Sequence, residues 1–255
     1  MKNFINNKRF YISIVSVGLM LVLWEIASIK IGSNNILPGV SDTLKSVFNL
    51  LITKDFLLTI WNTILRGIIG FIIAILLGIG LGIIAGLNSS FESFMKPWII
   101  IMRSVPVVSF ILLALIWFNS GSVPIFIGIL TMFPMIFTNI IEGMRNVDVK
   151  LIDMARFYKV KSKRIVSELY IPAIAPFVTS GISSAVGIGW RAIIVGEVLS
   201  QPEFGIGTSM HTAQSFLNVD ILIAWTFIAV ILSYLFEQLI RFLEHRIIKW
   251  RSYES

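Results

Sequence analysis

Six stretches of about 20 mostly apolar residues divide this chain, and they restrict its possible folds more than any other feature. An α-helix needs about 20 such residues to cross the roughly 30 Å hydrocarbon core of a membrane. Segments of alternating hydrophobicity about ten residues long, which are typical of a membrane β-barrel, do not occur in the sequence. We therefore predict an all-α, polytopic membrane protein whose six transmembrane helices occupy residues 10–28, 65–87, 97–118, 123–144, 173–199 and 221–243.

The composition agrees with a chain whose main solvent is lipid. Only 14% of the residues are charged, whereas about a quarter are charged in a soluble domain. There is no cysteine, which excludes disulfides, thiolate metal sites and cysteine nucleophiles. The first apolar stretch lacks the small-residue cleavage pattern of a signal peptide and ends with Trp24 and Glu25, so we predict a retained anchor. We divide the chain into an anchor with its connector (1–64), a core of five spans (65–248) and a tail (249–255).

Residues 32–66 connect the first two spans. Pro38 and Gly39 interrupt the chain, and Ser41 or Asp42 can cap the helix that follows. Apolar residues then recur at helical spacing, at Leu44, Val47, Phe48 and Leu51. We predict an amphipathic helix that lies on the extracytoplasmic surface of the membrane and leads into the second span.

Lysine and arginine are distributed unevenly between the two sides of the predicted spans. Three lie near the N-terminus, two near the second-to-third connection, seven in segment 145–172 and four near the C-terminus, which is sixteen of the 21. With both termini cytoplasmic, all sixteen lie on the cytoplasmic side, as the positive-inside rule requires. The net charge of +7 is then a topology signal, and we predict no nucleic-acid partner.

Segment 145–172 is the one long polar segment among the apolar runs, and it contains Arg145, Lys150, Arg156, Lys159, Lys161, Lys163 and Arg164. Residues 149–158 mix charged and apolar side chains in a way that predicts a short helix. A second helix is predicted over residues 163–170, and it would end ahead of Pro172. Two short helices joined by a turn can project from a bilayer and enter a groove on a soluble partner.

Small residues recur every fourth position along the second span, at Gly70, Ala74, Gly78, Gly82 and Gly86. Such a stripe lets two helix backbones approach closely in lipid. The sequence leaves two interpretations open, tight packing within the chain or contact with a second protomer.

Ionisable groups inside spans are costly and are therefore functional candidates. In the fifth span, Arg191 and Glu197 are six residues apart, so they project in different directions and need not pair. Either residue could line a translocation pathway, with Trp190 and with Asn139 of the fourth span as further candidates. The alternative is that Arg191 and Glu197 form structural ion pairs or hydrogen bonds with neighbouring helices.

Within segment 145–172, Asp153-Met154-Ala155 is followed, after three residues, by Lys159, and then by Leu169 and Ile171-Pro172. This spacing resembles the cytoplasmic loop of the permease subunits of bacterial ATP-binding-cassette (ABC) importers. The family pattern is Glu-Ala-Ala, three residues, Gly, nine residues, Ile, one residue and Leu-Pro, so Lys159 stands in the glycine place. If the turn needs a left-handed residue, Lys159 costs roughly 1 kcal/mol there. The resemblance implies that the ATPase contacts lie at Leu151, Asp153, Met154, Ala155, Arg156, Tyr158, Lys159, Lys161, Leu169 and Pro172.

A closer likeness extends over nearly the whole chain, to the branch of these permeases that imports nitrate, sulfonates, taurine and bicarbonate. Asn119 stands where that branch usually has glycine after Trp-Phe. The importers of thiamine precursors look similar too, so the branch does not fix the solute. The likeness is carried by Leu37-Pro38, Ser41, Arg66, Gly70, Pro97, Arg103-Ser104-Val105-Pro106, Ile116-Trp117-Phe118, Asn139, Gly143, Gly189-Trp190, Gly196-Glu197-Val198-Leu199 and Gly205-Ile206-Gly207.

The resemblance implies a type I ABC importer permease fold in the bacterial inner (plasma) membrane, with residues 65–248 as the permease core. It implies a dimer of permeases, identical or paralogous, two cytoplasmic ATPase subunits and an extracytoplasmic solute-binding protein. The sequence contains no G-x-x-x-x-G-K-[ST] phosphate loop. ATP and Mg²⁺ are therefore expected on the ATPase, with no cofactor and no catalysis on this chain.

Two other classes of protein compete with this interpretation. An intramembrane enzyme would need a catalytic set, yet the chain has only His211 and His245 and no metal-ligand or nucleophile motif. A stand-alone ion-coupled carrier or channel is the stronger alternative, because Arg191 and Glu197 could belong to an ion relay. Such carriers often show internal repeats, and no convincing repeat relates the two halves of this sequence.

Overall fold

The computed structural model describes residues 2–247, and within them the side chains of residues 11–12 and 14–242. The tail 249–255 lies outside the described residues. Every regular element in the described range is helical, which confirms the all-α prediction. The elements are α1 (Lys2–Ile31), α2 (Val40–Leu51), α3 (Phe56–Leu87), α4 (Ser89–Ser104), α5 (Val107–Trp117), α6 (Val123–Arg145), α7 (Val149–Phe157), α8 (Ser162–Ile165), a π-helical turn (Val166–Tyr170), α9 (Ile171–Ser200), α10 (Ile206–Ser215) and α11 (Val219–Ile247).

Five described helical segments are long and apolar enough to cross a membrane, and a sixth crossing results if α4 and α5 cross together. The single helix predicted over residues 97–118 is wrong, because two helices, α4 and α5, occupy this region and meet at 102°. The break falls at Val105, which is extended, and Pro106. Proline disfavours the helical conformation of the residue before it and has no N–H to donate. The second span is also longer than predicted, since α3 begins at Phe56.

The predicted connector helix is present as α2, but its predicted cap is wrong. The helix begins at Val40, after Gly39, and no side chain of its own sequence caps it. Instead Glu25 at the end of α1 accepts a hydrogen bond from the Val40 N–H at 2.8 Å. A second bond from α1, donated by Trp24 Nε1 to the Pro38 carbonyl at 3.0 Å, holds the same turn. The cap therefore comes from another helix, which local sequence patterns do not reveal.

The polar face of α2 packs against the rest of the protein. Ser46 is buried and donates a hydrogen bond to Asp220 of α11 at 2.6 Å. The apolar residues Leu44 and Phe48 point away from the protein and are exposed. An exposed apolar stripe of this kind is typical of a helix that contacts lipid.

Three helices, α3, α6 and α9, form the centre of the bundle. Along α3, Gly78, Gly82 and Gly86 lie against Ile136, Ile140 and Met144 of α6. Because both series advance by four residues in the same direction, the two helices run parallel. A Cβ atom at Gly82 would lie 2.8 Å from Cβ of Ile140, so no larger residue fits without moving the helices. Gly70 extends the same contact to the backbone of Ile125. The glycine stripe thus packs within the chain.

Helix α9 runs in the opposite direction along α6. Gly143, near the end of α6, faces Phe177 near the start of α9. Gly196, near the end of α9, faces Pro124 at the start of α6. Glycines on both helices therefore produce a close antiparallel pair, which small residues favour in membranes.

The predicted helix end ahead of Pro172 is wrong, because α8, the π-helical turn and α9 form one continuous helical segment, Ser162–Ser200. Pro172 cannot donate the backbone hydrogen bond that an α-helix requires. The wider π turn lies immediately before it, and there the N–H of Ile171 donates to the carbonyl of Val166. This local change of register lets the helix continue past the proline.

Candidate functional site

Helix α7 is delimited by side-chain and backbone hydrogen bonds that its sequence encodes. At its start, the Asp148 carboxylate accepts a hydrogen bond from the Lys150 N–H at 2.8 Å. At its end, the N–H of Lys159 donates to the Arg156 carbonyl at 2.9 Å, and the N–H of Val160 donates to the Ala155 carbonyl at 3.0 Å. These two bonds form a Schellman motif, which requires a left-handed residue after the helix. Lys159 is that residue, with φ of +55°.

The outer face of α7 combines exposed apolar and charged side chains. Ile152 is buried and holds the helix against the protein. Phe157 and Tyr158 are 82% and 73% exposed, and their rings contact each other edge to face at 5.6 Å. We call the exposed side chains between Leu151 and Lys159 the α7 surface, consisting of Leu151, Asp153, Met154, Arg156, Phe157, Tyr158 and Lys159.

The remaining predicted contact residues lie beside this surface. Ala155 is half-buried within α7, and its carbonyl accepts the hydrogen bond from Val160 that closes the turn. Lys161 and Pro172 are exposed and Leu169 is half-buried on the segment that continues into α9. Eight of the ten predicted residues therefore lie on α7 and the turn after it, and Leu169 and Pro172 lie on the helical segment Ser162–Ser200.

A buried ionic cluster joins α3, α9 and α10, with Glu197 at its centre. Glu197 is 0% exposed, and its Oε1 accepts a bond from Arg66 Nη1 at 2.6 Å. Thr63 Oγ1 donates to the same carboxylate at 2.9 Å, and the Gly207 N–H donates to Oε2 at 3.0 Å. Arg66 also donates to the Phe204 carbonyl at 2.7 Å. Because donors surround the carboxylate, its burial leaves no unpaired charge, as a buried ion pair requires.

Two glycines let the start of α10 lie directly on this cluster. A Cβ atom at Gly205 would lie 2.8 Å from the Glu197 carboxyl carbon. A Cβ atom at Gly207 would overlap the Ile194 carbonyl of α9. The Gly-Ile-Gly sequence is thus explained by close approach to Glu197.

Arg66 and Thr63 belong to this cluster but are not among the site residues predicted from the sequence. The second predicted span begins at residue 65, which places Arg66 at the water boundary instead of inside a helix. The described helix α3 begins at Phe56 and places Arg66 ten residues within it. An arginine inside so apolar a helix is a functional or structural candidate on energetic grounds alone. An earlier span boundary would have revealed it.

The other pathway candidates lie in different places. Trp190 and Arg191 line a cavity of about 440 Å³ between α9, α10 and α11. Glu197 and Asn139 do not line this cavity. Asn139 instead donates a hydrogen bond to the Met135 carbonyl of its own helix at 2.8 Å. Glu197 pairs with Arg66 and not with Arg191, which lines the cavity instead.

The chain is similar to a family of known membrane transport components. The family model described as "Binding-protein-dependent transport system inner membrane component" matches residues 78–249. The chain is 31% identical to the "Putative ABC transporter permease protein" of Methanocaldococcus jannaschii, over 97% of this chain and 94% of the relative.

Two further relatives carry solute names. The "Putative aliphatic sulfonates transport permease protein SsuC" of Escherichia coli is 31% identical, over 92% of this chain and 89% of the relative. The nitrate import permease protein NrtB of Synechococcus elongatus is 26% identical, over 78% of this chain and 75% of the relative. The chain therefore belongs to the family of inner membrane components of binding-protein-dependent transport systems, and it is a multi-pass plasma-membrane permease subunit of an ABC importer.

Proposed function

We propose that this permease forms the membrane pathway for a small anion and that the α7 surface is the docking site of a separate ATPase subunit. The observation that carries the proposal is the exposure of large apolar side chains on α7 beside exposed charges. On the spans, exposed apolar residues face lipid. The α7 surface lies between two spans and carries Asp153, Arg156 and Lys159 as well, which suits a groove on a soluble protein.

ATP and Mg²⁺ bind to the partner subunit in this proposal. The sequence has no phosphate loop, so this chain transmits movement and does not hydrolyse ATP. Closure of the two ATPase subunits would move the α7 surface. The continuous helical segment Ser162–Ser200 begins beside that surface and ends at the Glu197 cluster. Such a helix suits the transmission of a movement from one side of the membrane to the other.

The proposed assembly contains two copies of the permease, one on each ATPase subunit. The presence of two copies is supported by Arg191, which lies on a span and is exposed in the single chain. This residue has no hydrogen bond or ion pair among the described residues. A cation in that position is costly when it faces lipid. A second permease copy enclosing a hydrated pathway would remove that cost. The solute-binding protein would then dock at the end of the bundle that carries α10.

Single cysteines can test the docking site, because the chain has none of its own. Met154→Cys and Phe157→Cys, each labelled with a photoreactive maleimide, are expected to cross-link to the ATPase subunit in membranes. Phe216→Cys is the matched control, since Phe216 is 73% exposed in the turn after α10, at the other end of α9. Cross-linking from Phe216 and not from α7 would refute the proposed docking site.

A further inference from the structure

A cavity of about 500 Å³ lies between α4 and α6, at the end of the bundle from which α7 follows. This volume is that of a small-molecule site. The lining of the cavity divides into a charged rim and an apolar floor. The rim consists of Glu92, Lys96, Glu142 and Arg145, and the floor includes Ile99 and Phe137.

The rim lies where two spans end, and the floor lies deeper in the bundle. The span formed by α6 ends at Arg145, and α4 begins directly after the span formed by α3. Phe137 precedes Arg145 by eight residues of α6, which is about 12 Å at 1.5 Å per residue. Charged groups at the membrane boundary with apolar groups beneath them match the two ends of a lipid molecule.

Two of the four charges at the rim have no partner. Arg145 Nη2 donates to Glu92 Oε1 at 2.6 Å, and this ion pair joins α6 to α4. Lys96 and Glu142 line the same cavity, yet neither side chain has a hydrogen bond or an ion pair with any described residue. The rim therefore offers one positive and one negative group to a ligand.

This pair of opposite charges distinguishes among the headgroups of membrane phospholipids. An anionic headgroup would bring its net negative charge close to Glu92 and Glu142, which repel it. A choline headgroup has no N–H to donate to a carboxylate. An ethanolamine headgroup has a phosphate that can accept from Lys96 and an ammonium with three N–H donors for Glu142. Its phosphate and ammonium are close together in one molecule, so a single headgroup can contact both side chains.

We propose that this cavity binds one molecule of phosphatidylethanolamine from the surrounding membrane. Its phosphate would bind Lys96, its ammonium would bind Glu142, and the first part of an acyl chain would lie along the floor. The site is independent of the solute and of the ATPase docking site. Because α6 ends at Arg145 and α7 begins at Val149, the bound lipid would also support the helix that leads into α7.

Native mass spectrometry of the delipidated permease–ATPase complex tests the site, with ethanolamine, choline and glycerol phospholipids of identical acyl chains as probes. The wild type is expected to bind phosphatidylethanolamine saturably, one molecule per permease. Its affinity for this lipid is expected to exceed that for phosphatidylcholine by about tenfold, because only ethanolamine donates charge-assisted hydrogen bonds to Glu142. Glu142→Gln is expected to remove this preference. Lys96→Gln is expected to weaken the binding of phosphatidylethanolamine by about tenfold through loss of the phosphate contact.

Lys163→Gln is the matched control, because Lys163 is also exposed, lies after α7 and does not line the cavity. It is expected to bind phosphatidylethanolamine like the wild type. The proposal is overturned if the choline or glycerol lipid binds as tightly, if Glu142→Gln keeps the preference, or if Lys163→Gln weakens binding as much as Lys96→Gln. It is also overturned if no lipid binds, as when a protein subunit covers the cavity, or if free glycerophosphoethanolamine binds as tightly as the lipid.

Discussion

At the scale of single residues, two charged side chains carry out tasks that a short sequence pattern does not show. Glu197 and Arg66 are 131 positions apart, yet they form one buried pair. The sequence identified Glu197 as an unusual charge, but its partner depends on how α3 packs against α9. Lys159 is a local case: the sequence marks it only as a residue in the place of a family glycine, and the structure shows that its conformation is left-handed.

Removing one member of the buried pair is expected to destabilise the folded permease much more than replacing both members. Arg66→Ala leaves the Glu197 carboxylate buried beside an empty space, and breaking such a pair typically costs about 3–5 kcal/mol. The double variant Arg66→Met with Glu197→Leu replaces the pair by apolar groups and is expected to unfold at a higher temperature than Arg66→Ala alone. Thermal unfolding in detergent measures the unfolding temperature of each purified variant. If the unfolding temperature falls equally in the two variants, the pairing does not contribute to stability.

The turn at Lys159 predicts an order among substitutions. Glycine adopts φ of +55° without the roughly 1 kcal/mol cost that other residues pay, so Lys159→Gly is expected to retain the turn and the binding of the ATPase. Valine is β-branched and is strongly disfavoured at positive φ, so Lys159→Val is expected to disturb the α7 surface. The yield of ATPase that co-purifies with each variant checks the order. Full yield from Lys159→Val would mean that the turn geometry does not matter for docking.

At the scale of elements, hydrophobic patterns predicted the existence of the helices better than their ends and bends. Pro106 breaks the third predicted span, whereas Pro134 lies inside α6 and the chain continues through it as one helix. In membranes, neighbouring groups can satisfy the backbone around a proline, so a proline alone does not decide between a kink and a break. The same ambiguity explains the error at Pro172.

The glycine stripe of α3 predicts position-specific effects on the packing of α3 against α6. Gly82→Val would place side-chain atoms within the volume of Ile140, and overpacking of this kind typically costs about 1–3 kcal/mol. Gly80→Val lies on the same helix with nothing within 4 Å of its Cβ position, so it is expected to be nearly neutral. Thermal unfolding of the two variants compares them. If Gly80→Val lowers the unfolding temperature as much as Gly82→Val does, the packing described here is incorrect.

At the scale of the whole molecule, the fold connects two specialised ends through one long helical segment. The α7 surface lies at the start of Ser162–Ser200, and the Glu197 cluster, with α10 packed on it, lies at its end. The family, the helical class and the polar segment with a short helix after α6 could be predicted from the sequence. The cavity between α9, α10 and α11 could not, because its walls come from helices that are distant in the chain.

In the proposed mechanism, ATP drives solute movement through this permease by way of the α7 surface. Accumulation of the solute of its binding protein is measured in proteoliposomes that contain the permease and the ATPase. We predict uptake only when ATP is supplied on the side of the α7 surface, and its loss in Asp153→Arg and Ala155→Glu even though both permeases remain in the membrane. Uptake without ATP, or wild-type uptake in both variants, would contradict the account.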